Sequence, residues 1–210
     1  YSGQCPSNQE GECFIDTATE IIVDAVDQEP HPVNQVKCDW SYSVLDGNAS
    51  GGKQNVVPPF SIKFPEESRH ELTIICRDAL GNEVRDVERF IVDKTPPVTE
   101  KEYKGPIFIN NETHEEWINN NTQIWLSAFD QEPHISGVNQ TFYRNTLVDK
   151  EFCQNQEICQ SANGNGAWEL WNGTPKFKNE ESCHLIEFFS MDNVNKTEEI
   201  NKQCAYVDLT

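Results

Sequence analysis

A five-residue phrase occurs twice in this chain and constrains its architecture more than any other feature. Asp27-Gln28-Glu29-Pro30-His31 returns as Asp130-Gln131-Glu132-Pro133-His134, an offset of 103 residues (130 − 27). Each copy follows a short apolar run, residues 21–26 in the first case and 124–129 in the second. Repetition at about the length of a small domain indicates two similar modules rather than one large enzyme domain.

Short β-branched and apolar runs separated by turn residues predict an all-β fold for both modules. No window has a sustained apolar period of helical length. Asp93-Lys94-Thr95-Pro96-Pro97 ends the first module, because two prolines cannot donate to a sheet and stiffen the chain. The predicted domains are therefore residues 1–96, with a cysteine-stapled lead-in at the N-terminus, and residues 97–210. The candidate strands are 20–26, 36–44, 60–64, 71–77, 87–92, 122–129, 140–144, 167–171, 185–190 and 203–207.

The net charge of −19 restricts the partners of the chain. Nucleic acid and anionic lipid carry like charge and are poor partners, whereas divalent cations are compatible with such a surface. The sequence contains no apolar run of membrane-spanning length, so we expect no direct membrane insertion. The phrase Val92-Asp93-Lys94-Thr95 resembles the end of the chain, Val207-Asp208-Leu209-Thr210. We therefore expect a segment of a longer array, with neighbouring modules or copies of the same protein as partners.

Cysteine and asparagine usage both indicate an oxidising, extracellular location. The four cysteines in each half suggest disulfides within each module, and four cysteines allow three pairings. Six Asn-x-Ser/Thr triplets compare with roughly two or three expected by chance, which predicts a glycosylated protein. The cysteines are Cys5, Cys13, Cys38, Cys76, Cys153, Cys159, Cys183 and Cys204, and the acceptor asparagines are Asn48, Asn111, Asn120, Asn139, Asn172 and Asn195.

The second half of the first module resembles a known family. In bacterial and archaeal Ig-like surface repeats of the Big type, an alternating strand runs into an Asp-x-x-Gly-Asn turn, as residues 70–82 do here. Their last strand ends in Val-Asp-x-Thr-Pro-Pro, which residues 92–97 match. The second module is similar to a subgroup of these repeats over residues 127–144 and 166–193, although Asn195 and Lys196 replace the turn glycine and asparagine. The resemblance implies two tandem Ig-like β-sandwiches joined by a short Pro-Pro linker.

The strands implied by this resemblance suggest specific disulfides. Cys38 and Cys76 would lie on neighbouring strands of one sheet, and Cys183 would face Cys204 on the last two strands. Cys153–Cys159 would close a hairpin, and Cys5–Cys13 would close the lead-in.

The resemblance also implies a cation site, because the loop after the second strand and the turn after the sixth share one end of an Ig-like sandwich. Carboxylates of the repeated phrase would then approach the later turn, and Ca²⁺ prefers such oxygen ligands. The linker brings a further carboxylate to the second module, so we predict an interdomain calcium site. Its ligands would be Asp93, Asp130, Glu132 and Asp192, with a weaker set of Asp27, Glu29 and Asp78 in the first module. The alternative is that these aspartates serve only as turn caps.

The remaining motifs give little indication of a transition-metal site, an active site or a sugar-binding surface. His31 and His134 are single histidines beside proline, which argues against a transition-metal site. The chain has neither a Gly-x-Ser-x-Gly elbow nor a His-Glu-x-x-His helix, so we predict no enzymatic activity. We expect the glutamate pairs at 66–67, 115–116 and 180–181 to be solvated. Trp168 and Trp171 could stack on sugars, but structural packing is the expected role, as it is for Trp40 and Trp125.

These observations predict a non-enzymatic extracellular structural segment of a larger cell-surface protein, such as an archaeal, glycosylated surface layer, filament or stalk. Calcium is the one cofactor expected. The alternative is a binding module of an adhesin or receptor, with glycans as partners, or the accessory array of a secreted hydrolase.

Overall fold

A computed structural model describes residues 1–3, 5–29 and 35–210. Pro30 and His31 of the first repeated phrase lie outside the described residues. The described chain is almost entirely β and divides into two compact units. Unit 1 consists of residues 1–95 and 132–136, and unit 2 consists of residues 96–131 and 137–210.

Unit 1 contains seven strands within the described residues. They are β1 (Cys13–Asp16), β2 (Ile21–Val23), β3 (Lys37–Val44), β4 (Ser50–Val56), β5 (Phe60–Ile62), β6 (Ser68–Arg77) and β7 (Glu83–Asp93). One sheet has the order β1-β7-β6-β3-β4, with β1 parallel to β7, and β2 pairs with β5 in the second sheet. This two-sheet order, with its crossover between non-consecutive strands, is that of an Ig-like sandwich.

The core of unit 1 follows from the alternation along β6, where every second side chain is buried. His70, Leu72, Ile74 and Cys76 point inward, and the residues between them are only partly buried. Leu72 packs in one apolar cluster with Phe90 of β7, and both are fully buried. The predicted all-β fold is therefore confirmed, with a sandwich core where the alternating strand placed it.

Unit 2 repeats this plan with more strands and one insertion. Its elements are β8 (Val98–Lys104), β9 (Ile107–Ile109), β10 (Glu116–Ile118), β11 (Gln123–Phe129), β12 (Val138–Val148), a 3-10 turn (Lys150–Cys153), α1 (Gln156–Ser161), β13 (Glu169–Leu170), β14 (Cys183–Asp192) and β15 (Asn201–Val207). One sheet has the order β13-β12-β14-β15-β10-β9, with β10 parallel to β15, and β11 pairs with β8 in the other. Ile186 and Phe188 point between the two sheets, where they pack with Leu126 and Val207.

The helical insertion lies on the opposite face of β14 and β15. Successive side chains of a strand face opposite sides, so Leu185 points away from the neighbouring Ile186. Leu185 packs instead with Ala162 and four cysteines in a second apolar cluster. None of the helices in the described residues is long and apolar enough to cross a membrane.

Strand positions predicted from sequence match best where apolar residues alternate. β11, β14 and β15 each contain most of a predicted strand. β4 was missed, because its residues Gly51 and Gly52 are typical of a turn and its side chains are mostly exposed. β8, β9 and β10 were missed as well, since β8 is rich in charged residues and β9 and β10 have only three residues each.

Candidate functional site

In unit 1, the turn between β6 and β7 is organised by Asp78. Its Oδ1 accepts hydrogen bonds from the backbone N–H groups of Leu80 at 2.8 Å and Asn82 at 2.9 Å. The Asn82 side chain donates to Oδ2 at 2.6 Å. These bonds, led by that of the Asn82 side chain, lower the pKa of Asp78 below its ordinary range. Gly81 has a φ of +89°, the left-handed backbone that this turn requires.

The equivalent turn of unit 2, between β14 and β15, has the same bonding pattern. Asp192 Oδ1 accepts from the backbone N–H groups of Val194 at 2.9 Å and Lys196 at 2.7 Å. Asn195 takes the left-handed position with a φ of +68°. Asparagine thus replaces the turn glycine here without loss of the turn, because it tolerates the left-handed backbone.

Asp130 lies in the same unit, directly after β11. Its Oδ1 accepts from the N–H of Gln131 at 2.9 Å and its Oδ2 from that of Gly137 at 2.7 Å. A carboxylate oxygen of Asp130 lies within 4.8 Å of one from Asp192. Asp130 is 9% exposed and Asp192 is fully buried. Unit 2 therefore brings together two of the four predicted calcium ligands, at a separation that one cation could bridge.

The other predicted ligands belong to unit 1. Asp93 is fully buried at the end of β7, where its two oxygens accept from the N–H groups of Thr95 and Ser136, both at 3.1 Å. Asp27 accepts from Gln28 N–H at 2.9 Å. The remaining two, Glu29 and Glu132, are exposed. The complete set of four calcium ligands therefore stays a prediction. Each of these aspartates also accepts hydrogen bonds from backbone N–H groups, as the turn-cap alternative expects.

The histidine of the second repeated phrase has carboxylate partners in unit 1. His134 Nε2 lies 2.5 Å from Asp46, and Nδ1 lies 3.6 Å from Glu67. Burial opposes ionisation of Asp46, but the hydrogen bonds of His134 and of the Arg69 backbone outweigh it and lower the pKa of Asp46. The sequence predicted no partners for His134, because Asp46 and Glu67 lie in loops distant along the chain.

All eight cysteines pair within their own unit, as predicted. Cys5–Cys13 and Cys38–Cys76 are the predicted pairs of unit 1, and Cys38 lies directly opposite Cys76 in the β3–β6 ladder.

The two predicted pairs of unit 2 are wrong. The structure forms Cys153–Cys183 and Cys159–Cys204, which tie the 3-10 turn and α1 to the outer face of β14 and β15. Cys183 pairs in register with Tyr206, not with Cys204, so the two cysteines are diagonal neighbours. Diagonal Cα atoms are about 7–8 Å apart, too far for a disulfide.

A buried ion pair lies beneath the segment that follows α1. Glu187 of β14 is 1% exposed and accepts from Arg144 of β12 at 2.6 and 3.0 Å. The guanidinium also lies 4.3 Å from the ring centre of Trp168, which packs edge-on against Phe189. Trp168 therefore has a packing role, as expected.

Gly164 crosses directly over this pair. A Cβ built at position 164 would lie 2.0 Å from Glu187 Oε2 and 2.8 Å from Thr146 Oγ1. Only glycine fits there without displacing the ion pair.

Of the other three tryptophans that the sequence analysis considered, two pack as expected and one faces outward. Trp171 packs edge-on against Tyr143 and Trp40 packs against the core of unit 1, as expected. Trp125 was expected in the core, but it lies between Ile124 and Leu126, which occupy the inner face of β11. Trp125 therefore faces outward, where Lys104 lies 4.9 Å from its ring centre.

One expected solvated glutamate is instead buried. Glu116 lies in β10 with 8% exposure, and its carboxylate is 4.0 Å from the Nζ of Lys101. The prediction failed because Glu116 occupies an inward position of a short strand, two residues before buried Ile118.

All six acceptor asparagines are exposed, and they are Asn48, Asn111, Asn120, Asn139, Asn172 and Asn195. Asn172 Oδ1 accepts from both the N–H and the hydroxyl of Thr174, at 3.2 and 2.5 Å. The triplets are thus accessible in the folded units.

The strand orders of the two units define the class of this protein as all-β, with Ig-like sandwiches in tandem. No family model matches the sequence, and no curated protein matches it. Among solved structures, the chain is similar to the fibronectin(III)-like modules of Clostridium thermocellum CbhA. The two share 12% sequence identity with a TM-score of 0.40, over 93% of this chain and 89% of that one. A likeness at this score assigns neither family nor function.

Proposed function

We propose that this chain is a non-enzymatic, extracellular structural segment of a larger cell-surface protein, forming part of a surface layer, filament or stalk. The observation that carries this proposal is that one Ig-like plan occurs twice, each copy closed by its own pair of disulfides. A repeated module that carries its own disulfides suits an assembly of similar modules on the cell surface. Its partners are neighbouring modules or other copies of the same protein.

Three further features support an exposed location. Disulfides persist in oxidising compartments, and all cysteines here are paired. The six acceptor asparagines are exposed and open to glycosylation. The net charge of −19 keeps such a protein soluble among cations. The resemblance to Big-type surface repeats, together with glycan acceptors, favours an archaeal origin.

We also propose that calcium binds the carboxylates of Asp130 and Asp192 in unit 2. Two nearly buried carboxylates whose oxygens lie within 4.8 Å repel each other, and a divalent cation offsets that repulsion. The sequence-based ligand set adds Asp93 and Glu132. Calcium requires six to eight oxygens, so backbone carbonyls and water would complete the shell.

A melting experiment tests the calcium proposal. The wild-type chain should melt at a higher temperature in millimolar-range calcium than in EDTA, and Asp192→Asn should abolish that difference. Asp93→Asn tests the wider ligand set, and Asp86→Asn, at an exposed position of β7, is the matched control. Equal melting temperatures with and without calcium would reject the calcium site and leave the structural proposal untouched.

Electron microscopy of the full-length protein tests the structural proposal. Ordered lattices or filaments that form on addition of calcium, and contain this segment, are the expected result. A dispersed full-length protein that binds defined sugars on a glycan array would instead favour the adhesin alternative.

A further inference from the structure

Three side chains from three strands of unit 2 meet inside the sandwich. Lys101 of β8 lies opposite Leu126, a core residue, in the β8–β11 ladder, so it points inward. Gln203 of β15 lies two residues before core residue Ala205 and shares its face. Glu116 of β10 faces the same interior and contacts both of the others.

The contacts place the Glu116 carboxyl group between an amine and a carboxamide. Lys101 Nζ is 4.0 Å from Oε2, and Gln203 Nε2 donates a hydrogen bond to Oε1. The Lys101 side chain is 4% exposed and that of Glu116 is 10% exposed. The Nζ also lies 3.2 Å from the centre of the Tyr103 ring, which covers it. The amine and the carboxyl group are therefore shielded from water, and Gln203 is partly buried.

A charged lysine in this position would be expected to approach its carboxylate more closely. Charge-assisted N–H···O bonds are usually about 2.7–2.9 Å long, so the 4.0 Å between Nζ and Oε2 is longer than such a bond. Burial lowers the pKa of Lys101 to about 7, although Glu116 opposes that shift. A large fraction of the amine is thus neutral near neutral pH, and a neutral amine is a nucleophile.

We propose that Lys101 and Gln203 form a covalent amide bond across the sandwich, with Glu116 as the proton shuttle. The Nζ of Lys101 bonds to Cδ of Gln203, and the bond between Cδ and Nε2 breaks. Nε2 leaves as ammonia and carries the proton that Nζ gave up to Glu116. No oxidant, reductant or co-reactant is needed, and the sum is one amide formed and one ammonia released.

The position of Glu116 fits this step better than it fits a simple ion pair. The carboxyl group contacts both the nitrogen that loses a proton and the nitrogen that gains one. The product would tie β8, the first strand of unit 2, to β15, its last strand. These strands belong to different sheets, so the bond would also lock the two sheets together.

Peptide mapping of the folded wild-type chain tests the proposal. After denaturation, reduction and digestion, we expect most of the protein to yield one branched peptide that contains Lys101 and Gln203. Its mass should be that of the two linear peptides joined with loss of one ammonia. Glu116→Gln, which keeps the shape but removes the shuttle, should lower the branched fraction at least tenfold, and Lys101→Met should abolish it.

The variants also exclude another source of ammonia loss. Asparagine before glycine, as at 163–164, 165–166 and 172–173, can release ammonia by cyclising. That loss would persist in Lys101→Met and would give no branched peptide. Recovery of Lys101 and Gln203 in separate linear peptides from the wild type would overturn the proposal, whatever the variants do. Loss of water in a peptide joining Lys101 to Glu116 would overturn it as well.

Discussion

Asp78 and Asp192 hold equivalent positions in the two units, and each accepts the backbone N–H groups two and four residues further along the chain. The same turn is thus built twice from different neighbours, since Gly81 and Asn195 both take the left-handed backbone. Asp78 is only partly buried, whereas Asp192 is fully buried. Asp78 therefore caps its turn, whereas Asp192 caps its turn and also lies beside the carboxylate of Asp130.

Asn195→Gly should stabilise unit 2, and Asn195→Ala should destabilise it. The left-handed backbone costs a residue with a Cβ about 1–2 kcal/mol of free energy. The cost is smaller for asparagine than for alanine, and glycine adopts this backbone without it. We expect changes in the free energy of unfolding of up to about 1 kcal/mol in each direction. Denaturant titration of the unglycosylated protein measures both, and a more stable Asn195→Ala variant would contradict the turn geometry.

The stability contribution of Asp78 should disappear in acid. The pKa of Asp78 is lower in the folded state than in the unfolded state, led by the hydrogen bond from the Asn82 side chain. Such a carboxylate stabilises the fold above its unfolded pKa of about 3.9 and loses that effect as pH falls through the folded pKa. Asp78→Asn should therefore be less stable than wild type at neutral pH. The gap should close towards pH 2, and a gap independent of pH would argue against this.

Gly164→Ala should destabilise unit 2, while Gly166→Ala should not. The new methyl group at position 164 would collide with Glu187, whereas the nearest atom to one at position 166 is 3.6 Å away. Overpacking of this kind costs about 1–3 kcal/mol. Thermal unfolding followed by circular dichroism compares the two variants directly. Equal melting temperatures would mean that the segment after α1 does not cover the ion pair.

Loss of one partner of the buried ion pair should cost far more than loss of an exposed one. Glu187→Gln leaves Arg144 without its charge partner in the interior, which typically costs about 3–5 kcal/mol. The control is Glu71→Gln, because Glu71 pairs with Arg89 at the surface, with 32% and 58% of their side chains exposed. That pair should contribute about 0–1 kcal/mol. Similar losses in the two variants, measured by denaturant unfolding, would contradict the burial of Glu187.

Sequence patterns predicted those features that depend on residues near one another along the chain. Alternation predicted β6, and the Asp-x-x-Gly-Asn pattern predicted its turn, because both are local. Strand β4 was missed, since its pairing with β3 rather than its own residues makes it a strand. The Arg144–Glu187 pair was also missed, because its partners lie 43 residues apart.

The disulfide predictions likewise succeeded or failed according to how far the pairing depends on strand register. Cys38 and Cys76 were paired correctly because the implied strands are direct neighbours. Cys183 and Cys204 were paired wrongly because the register between β14 and β15, which sequence does not reveal, offsets them. Of the predicted calcium ligands, Asp130 and Asp192 come together in one unit because Asp130 directly follows β11 and Asp192 is the last residue of β14 in the same sandwich.

The most direct test of the structural proposal is labelling of intact cells that make the full-length protein. An antibody raised against residues 1–210 should label unpermeabilised cells evenly, and protease shaving should release peptides with glycans on Asn111 or Asn172. Labelling that appears only after permeabilisation, with unglycosylated peptides and free cysteines, would contradict the assignment to the cell surface.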